Sequence, residues 1–171
     1  MITKLPFKGA TQTALLIKAA ALASQQHIAV RQLAEEITRE LRSKDYLSEI
    51  LAIHHFILAN CRYFRDPKTI ELVKAPYRVV LELLSGRRPS LDCDDLTALA
   101  AALLLAAGCS VRVVVVAFDD VVYKGERQYA HVFVQALEPK SGKWITVDFV
   151  AGEKTARMHG RIKYAKIFVI A

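Results

Sequence analysis

The sequence has few of the residues that mark disulfide-bonded, zinc-binding or membrane-spanning proteins. Its 171 residues include three cysteines, Cys61, Cys93 and Cys109, and no CxxC pair. An odd number of cysteines without paired spacing indicates neither a disulfide framework nor a zinc knuckle, and it favours a reducing compartment. The apolar patch at residues 14–23 is too short to span a bilayer, and it contains Lys18.

Export signals and dense basic runs are also missing. The amino-terminal stretch MITKLPFKGATQ lacks the apolar core and the cleavage site of a signal peptide, so a cytoplasmic location is expected. The net charge of +7, from 24 basic and 17 acidic residues, would suit an anionic partner. Because the basic residues are scattered, with Arg87-Arg88 and residues 157–166 as the closest groupings, solvated faces explain them better than a nucleic-acid site.

The residues that are present have the composition and spacing of one globular domain. The hydrophobic fraction is 53% and the charged fraction is 24%. Helical spacing of apolar residues predicts helices over residues 11–24, 30–42, 46–60, 77–84 and 92–107. Strand periodicity predicts strands over residues 111–118, 129–137 and 143–150, and residues 166–170 could add an edge strand. Helices followed by an antiparallel sheet make an α+β domain.

Two of the predicted helices carry apolar faces that can be specified. The inner side of the third helix is predicted to consist of Leu47, Ile50, Leu51, His54, Ile57 and Leu58. The fifth helix is predicted to pack through Leu96, Leu99, Ala100, Leu103 and Ala107, and to be closed by Gly108.

Cys93 stands in the first turn of this fifth helix. Asp92 before it suits the N-cap position, and Asp95 occupies the place of the capping-box glutamate. A thiol there meets the positive end of the helix dipole and free N–H groups, which lower its pKa. Asp94 and Asp95 oppose this effect by like-charge repulsion, although their main expected role is to stabilise the helix. The position therefore suits a nucleophile that needs a further partner.

Two polar residues on the predicted strands can complete a triad with Cys93. If the turn EPKSG closes a hairpin with pairing near Leu137 and Lys143, His131 and Asp148 come close across the ladder. Neighbouring strands lie about 4.8 Å apart, so side chains on one face can hydrogen-bond. The predicted roles are nucleophile for Cys93, general base and acid for His131, and orienting carboxylate for Asp148.

The segments that carry these residues resemble the transglutaminase-like, papain-related core. They read LDCDDLTALAAALLLAAGCSVRVVVV, YAHVFVQAL and GKWITVDFV. In that family the nucleophile stands in a DCDD or GDC motif, the histidine opens an HVxVE-type strand and the aspartate ends a W-x-x-x-D strand. The matching residues here are Cys93, His131 and Asp148. The stretch YFRDPKTIELVKAP, residues 63–76, is similar to the lead-in of small phage and prophage members.

The resemblance implies a papain/transglutaminase-like fold, with the nucleophile at the start of a central helix packed on an antiparallel β-sheet. It implies one domain over residues 1–171, made of an N-terminal helical region (1–44), a catalytic core (45–150) and a C-terminal tail with an edge strand (151–171). The implied activity is acyl transfer from an amide or ester through an acyl-thioester, without metal or cofactor. The short chain favours hydrolysis of a peptide or protein, with cell-wall peptide as one candidate, over transamidation. The implied location is cytoplasmic or phage-associated, and the oligomeric state stays open.

Three positions depart from the family pattern without removing a catalytic group. Ser90-Leu91 precedes the DC pair where a glycine is common, Gln135 replaces a glutamate, and Phe149 follows the aspartate in place of the frequent DPT. Two other classes of protein remain open, a catalytically silent phage structural or assembly factor and a basic module that binds nucleic acid or cell-wall polymer.

Each candidate residue also has a purely structural interpretation. Cysteine and histidine are often packed in cores, and an aspartate can be a turn or edge residue. Cys109 enters a buried strand and is predicted to be core, while Trp144 could be core or a wall of the active-site groove. A metal site made of Cys61, His54 and His55 is disfavoured, because adjacent helical residues point about 100° apart.

Overall fold

The computed structural model describes residues 9–64, 73–123, 125–150 and 157–171. Within these ranges the helices are α1 (Gly9–Gln25), α2 (Ile28–Thr38), α3 (Tyr46–Asn60), α4 (Pro76–Leu84) and α5 (Cys93–Ala106). The strands are β1 (Arg62–Tyr63), β2 (Ser90–Leu91), β3 (Val111–Ala117), β4 (Val122–Tyr123), β5 (Glu126–Arg127), β6 (His131–Glu138), β7 (Lys143–Val147) and β8 (Tyr164–Val169). None of the described helices is long and apolar enough to cross a bilayer.

Helix α5 lies at the centre of the molecule. Helices α1 to α4 all contact it, and it packs on β6 and β3 of the sheet. Every residue from Leu96 to Leu105 is buried, as expected for a helix that is apolar around its whole circumference. The apolar face predicted from the sequence is therefore only part of the surface that the helix buries.

Both predicted ends of α5 are confirmed. The Asp92 carboxylate accepts the Asp95 N–H at 2.9 Å and caps the first turn. At the other end Gly108 has a φ of 88°, and the N–H groups of Gly108 and Cys109 bond the carbonyls of Leu105 and Leu104. These are the two bonds of a Schellman motif, which satisfies carbonyls that the helix leaves open.

The main sheet has four strands in the order β7-β6-β3-β8, and all neighbours are antiparallel. One face packs on the helices through alternate residues of β3, β6 and β7. The other face carries a smaller cluster of Val114, Val116 and Phe133, with Phe118 and Ile162 against it. The β-branched run in β3 is thus buried on both sides, as its continuous apolar sequence predicts.

The predicted helices and the main strands are present, and residues 164–169 form the predicted edge strand next to β3. The inner side predicted for α3 is wrong in part. Ile50, Ile53 and Ile57 are fully buried, whereas Leu47 is 43% and Leu58 is 40% exposed. Apolar residues occur on two sides of α3, so their spacing alone does not tell which side meets the core.

Two short pairs of strands were not predicted. Strand β1 pairs in parallel with β2, which joins the end of α3 to the segment just before Cys93. The second pair, β4 with β5, lies within residues 119–128, a charged stretch that the sequence indicates as a loop or a hairpin end. Within the lead-in over residues 63–76, residues 65–72 lie outside the described ranges, as do residues 151–156 of the predicted tail.

Candidate active site

Cys93 and His131 line one cavity. The cavity has a volume of about 560 Å³, and its walls come from the start of α5, the start of β6, the first turns of α1 and the β4–β5 hairpin. Cys93 is half-buried at the tip of α5, and His131 is the first residue of β6. Among the residues that the structure describes, no hydrogen bond joins Cys93 to His131. The predicted nucleophile and the predicted base therefore border the same cavity, from the start of α5 and the start of β6, without a hydrogen bond between them.

His131 and Asp148 form a buried hydrogen-bonded pair. Nε2 of His131 lies 2.8 Å from Oδ2 of Asp148, and the two side chains are 6% and 2% exposed. The hairpin register differs by one residue from the predicted one, because Glu138 rather than Leu137 pairs with Lys143. Asp148 lies just past the last paired residue of β7, and its side chain reaches diagonally to the first residue of β6. The predicted contact across the ladder is confirmed.

Asp148 has more partners than the sequence indicates. Nε2 of His159 lies 2.7 Å from the same Oδ2 atom, and the Val150 N–H donates to Oδ1 at 3.2 Å. Burial alone would raise the pKa of Asp148, but the hydrogen bonds from His131 and His159 and the charge of His131 lower it overall. The side chain is therefore a carboxylate at neutral pH, and it accepts three hydrogen bonds.

The backbone of Asp148 is held from a different element. Nε2 of His54, on α3, lies 2.7 Å from the Asp148 carbonyl oxygen, and the His54 ring meets Phe149 edge-on. Burial lowers the pKa of His54, so its neutral ring donates the Nε2 proton to that carbonyl. His54 belongs to this site rather than to the disfavoured metal site with Cys61.

Sequence reasoning missed His159 and the role of His54. His159 is the last helical residue before the turn at residue 160, and its ring stacks on Phe133 of β6 with centroids 4.7 Å apart. No spacing rule in the sequence links these residues to Asp148. The one available signal is that His159 is among only five histidines in the chain.

The contacts of Asp148 also define the tautomer of His131. A carboxylate only accepts hydrogen bonds, so Nε2 of His131 carries the proton that points at Asp148. In the neutral ring Nδ1 is then the basic nitrogen. An imidazole held in this way can take a proton at one defined atom.

The pKa of Cys93 was left open by the sequence, where the helix dipole lowers it and the neighbouring aspartates raise it. Burial raises its pKa strongly, and the charges of Asp94 and Asp92 and a hydrogen bond from Sγ to Oδ1 of Asp94, at 3.4 Å, raise it further. A hydrogen bond from the backbone of Val132 acts in the opposite direction. Because a helix end contributes only about half a charge, burial and two full carboxylate charges outweigh it. The resting side chain is a thiol.

The carboxylate of Asp95, expected to repel the thiolate, is directed elsewhere. It is 3% exposed, accepts the Lys74 N–H at 2.6 Å and lies 3.7 Å from the Lys74 Nζ atom. It therefore joins the start of α5 to the segment that precedes α4.

The other two cysteines belong to the core. Cys61 and Cys109 are buried, and burial raises the pKa of each thiol to about 11. The predicted core position of Cys109 is confirmed. Of the three thiols, Cys93 is the one that lines the cavity.

His131, Asp148 and His159 are also the one group of three metal-ligating side chains in the described ranges, with ligand atoms within 4.8 Å of one another. Both Nε2 atoms lie 2.7–2.8 Å from one carboxylate oxygen, which is hydrogen-bond distance. Ligands of one tetrahedral zinc ion, each bonded at about 2.0–2.1 Å, would lie roughly 3.3 Å apart. The distances describe a hydrogen-bonded cluster.

Trp144 lies neither in the core nor on the cavity wall. The Arg112 guanidinium covers its ring at 4.2 Å from the centroid. Gln135, one of the departures from the family pattern, bonds Arg112 at 2.8 Å and Thr146 at 2.9 Å. These polar residues lie on β3, β6 and β7, and none of them lines the cavity.

Comparison with known proteins places this arrangement in a family. No curated protein matches the sequence. The crystal structure of a "putative protease" from Parabacteroides distasonis ATCC 8503 is similar with a TM-score of 0.64 and 16% identity, over 92% of this chain and 29% of that chain. A "putative cysteine protease" from Cytophaga hutchinsonii is similar with a TM-score of 0.52 and 20% identity, over 85% of this chain and 47% of that chain.

At these identities the two structures show a shared fold, and this chain spans less than half the length of either. The sequence itself matches a family: residues 31–149 fit the model of the transglutaminase-like superfamily. This match includes most of the chain and every predicted site residue. The α+β chain belongs to the transglutaminase-like superfamily.

Proposed function

We propose that the chain is a thiol-dependent hydrolase that cleaves an amide bond in a peptide or protein, with Cys93 as nucleophile, His131 as general base and acid, and Asp148 as orienting carboxylate. The observation that carries the proposal is the buried His131–Asp148 pair at 2.8 Å, together with the cavity that both His131 and Cys93 line. A tautomer fixed by a carboxylate leaves one basic nitrogen for the thiol proton.

The proposed first half-reaction transfers an acyl group to sulfur. Nδ1 of His131 takes the Cys93 proton while Sγ attacks the carbonyl carbon, and the carbonyl oxygen becomes an oxyanion. The N–H of Cys93 lies in the first turn of α5, where helix N–H groups have no acceptor within the helix, and can donate to that oxyanion. The C–N bond then breaks, and the His131 imidazolium gives its proton to the leaving amine, which leaves an acyl-thioester.

The second half-reaction restores the thiol. His131 takes a proton from water, the hydroxide attacks the thioester carbon, and the C–S bond breaks. The sulfur then receives the proton from His131, and the carboxylic acid is released. An amine in place of water would give transamidation, and access of water to the cavity decides between the two acceptors.

The raised pKa of Cys93 fits proton transfer during the attack rather than a thiolate formed in advance. In the resting state the Cys93 thiol donates its hydrogen bond to Asp94. In the proposed reaction its side chain has to rotate towards His131 when a substrate occupies the cavity. Hydrogen bonds of catalytic residues are often loose before the substrate binds.

The first test measures the alkylation rate of each cysteine by iodoacetamide at neutral pH, with peptide mass spectrometry to separate the three sites. Cys93 should react well ahead of Cys61 and Cys109, because it lines the cavity while the other two are buried and because His131 can take its proton during the attack. His131→Ala should slow it. His55→Phe is the control, because His55 is exposed on α3 and a phenyl ring can keep the stacking on His54. Equal rates at all three cysteines, or no effect of His131→Ala, would contradict the proposal.

The substrate can be sought by screening a peptide library and a cell-wall digest for cleavage. Wild type is compared with Cys93→Ala, so that any product made by both proteins is discounted. A cleavage product that requires Cys93 supports hydrolysis. Incorporation of an added primary amine in place of water would assign the chain to transamidation instead.

The second candidate is a catalytically silent member with a structural or assembly role. The raised pKa of Cys93 beside two carboxylates is the observation that favours it. A silent protein would show Cys93 alkylation that does not depend on His131, so the same experiment distinguishes the two functions.

A further inference from the structure

We infer that His159 is a positioning residue of this site, which holds the Asp148 carboxylate for His131 through a second hydrogen bond to the same oxygen. The inference rests on the proposed function. His159 Nε2 lies 2.7 Å from Oδ2 of Asp148, and His131 Nε2 lies 2.8 Å from that atom. One carboxylate oxygen is thus shared by two imidazoles.

The position of Asp148 in the sheet explains why it needs such support. Strand β7 ends at Val147, so the ladder to β6 stops one residue before Asp148. Beyond that point the backbone is held by His54, whose Nε2 lies 2.7 Å from the Asp148 carbonyl. The Val150 N–H holds Oδ1 at 3.2 Å, which leaves His131 and His159 to fix Oδ2.

His159 is itself held in place by β6. Its ring stacks on Phe133 with an interplanar angle of 25°, and Phe133 is 3% exposed. Phe133 is two residues from His131 on the same strand, so both side chains project from one side of β6. Strand β6 therefore positions both donors to Oδ2, one directly and one through a stacked ring.

The burial of this group makes the second donor important. The Asp148 side chain is 2% exposed, and the His159 side chain is 24% exposed. A buried carboxylate oxygen that loses a donor has to rotate or admit water to satisfy its hydrogen bonding. Either response moves the acceptor of the His131 Nε2–H group, and with it the orientation of Nδ1, the nitrogen proposed to take the Cys93 proton.

Two replacements separate the hydrogen bond from the packing. His159→Phe keeps a ring that can stack on Phe133 and removes the donor. His159→Gln returns an N–H donor at a similar distance from the backbone. His55→Phe is the control, because it makes the same change of side chain at an exposed position of α3.

The measured quantity is the alkylation rate of Cys93 by iodoacetamide at pH 7 in the full chain. His159→Phe should slow it by about threefold to tenfold, which corresponds to the net contribution of one hydrogen bond. His159→Gln should stay within about twofold of wild type, because the donor is restored. His55→Phe should match wild type. A rate for His159→Phe equal to wild type would overturn the inference.

The failure of this inference can be told apart from failure of the proposed function. If Cys93 of the wild type reacts no faster than Cys61 and Cys109, the proposed function fails. If the wild type is activated and His131→Ala slows it while His159→Phe does not, only the positioning role of His159 fails.

A second measurement needs no variant, which covers the case in which His159→Phe does not fold. Long-range ¹H–¹⁵N spectra of the wild-type histidines report their tautomers. His131 and His159 should both appear as Nε2–H tautomers with downfield, slowly exchanging N–H protons. A His159 ring that averages between tautomers would overturn the inference.

Discussion

The Cys93 thiol donates a hydrogen bond to the carboxylate of Asp94, its neighbour in the first turn of α5, at 3.4 Å. This contact stabilises the protonated sulfur, and the Asp94 charge opposes its ionisation. The residue that follows the candidate nucleophile therefore restrains it. The restraint can be removed without touching His131 or Asp148, which makes it a direct test of the site's electrostatics.

Replacing Asp94 with asparagine should speed alkylation of Cys93 at pH 7 by about threefold to tenfold. Loss of one nearby like charge lowers a thiol pKa by up to about one unit, and a lower pKa gives more thiolate. The pH dependence of alkylation is the measurement, and its midpoint should move to lower pH. Asp92→Asn is the matched variant, because asparagine keeps the N-cap acceptor while its charge is lost. Slower alkylation in Asp94→Asn would mean that Asp94 accepts the thiol proton.

The stability that Asp148 contributes should depend on pH in a defined direction. Its pKa is lowered in the folded chain, so the contribution is fully present above the unfolded pKa of about 3.9 and is lost as the pH falls through the folded value. Asp148→Asn should lower the free energy of unfolding by about 2–4 kcal/mol at pH 7, because charged hydrogen bonds are weakened. Urea unfolding at pH 7 and at pH 3 measures this. A gap between wild type and variant that does not shrink at pH 3 would contradict the assignment.

The β4–β5 hairpin on the cavity wall is predicted to be held in place by Asp120. The Asp120 carboxylate accepts hydrogen bonds from Tyr164 and Lys163 of the β8 region and from Arg127 of the hairpin, and these partners lower its pKa to about 2. Asp120→Asn should increase amide hydrogen exchange in residues 121–128, because the charged contacts are lost.

In the wild type this anchoring is complete above the unfolded pKa of about 3.9, and it is lost as the pH falls through about 2. Asp119→Asn is the control, since an amide oxygen can still accept the Val121 N–H that Asp119 binds. If amide hydrogen exchange is unchanged in Asp120→Asn, or changes equally in both variants, the Asp120 carboxylate does not hold the hairpin in place.

The burial of α5 on every side is tested by overpacking. Ala101 lies outside the apolar face predicted from the sequence, yet it is 0% exposed. Ala101→Leu should cost about 1–3 kcal/mol of unfolding free energy, because a close-packed core has no room for three more carbons. Ala59→Leu, at an exposed position of α3, should change stability by less than about 0.5 kcal/mol. Urea denaturation compares the two, and a neutral Ala101→Leu would mean that this side of the helix is open.

Periodicity and capping predicted most of the fold because they are local properties. The bounds of α3 agree with the prediction to the residue, and the Asp92 cap and the Gly108 turn follow from side-chain and backbone chemistry within one turn. The β1–β2 pair was missed because two-residue strands leave no pattern, and only tertiary contact brings Arg62 to Ser90.

The candidate site was predictable where residues share one hairpin and unpredictable where they do not. His131 begins β6 and Asp148 directly follows β7, so counting from the turn brought them together although the predicted register was one residue off. His54 and His159 reach Asp148 from α3 and from the chain after residue 156, and no local rule relates them. The sequence left the direction of the Cys93 pKa shift open between the helix dipole and the aspartate charges, because the direction also depends on how deeply the first turn is buried.

Helix α5 is surrounded by four helices and a sheet, so the turn that carries the Cys93 thiol cannot move independently of these elements. Opening the amides in the middle of this helix requires the surrounding elements to separate, which amounts to unfolding the domain. The faster alkylation that we predict for Cys93, relative to Cys61 and Cys109, should therefore stay constant as denaturant is added. It should be lost in the same cooperative transition in which the ellipticity is lost. The position of the Cys93 sulfur is therefore maintained by the entire core, and it is lost only when the core unfolds.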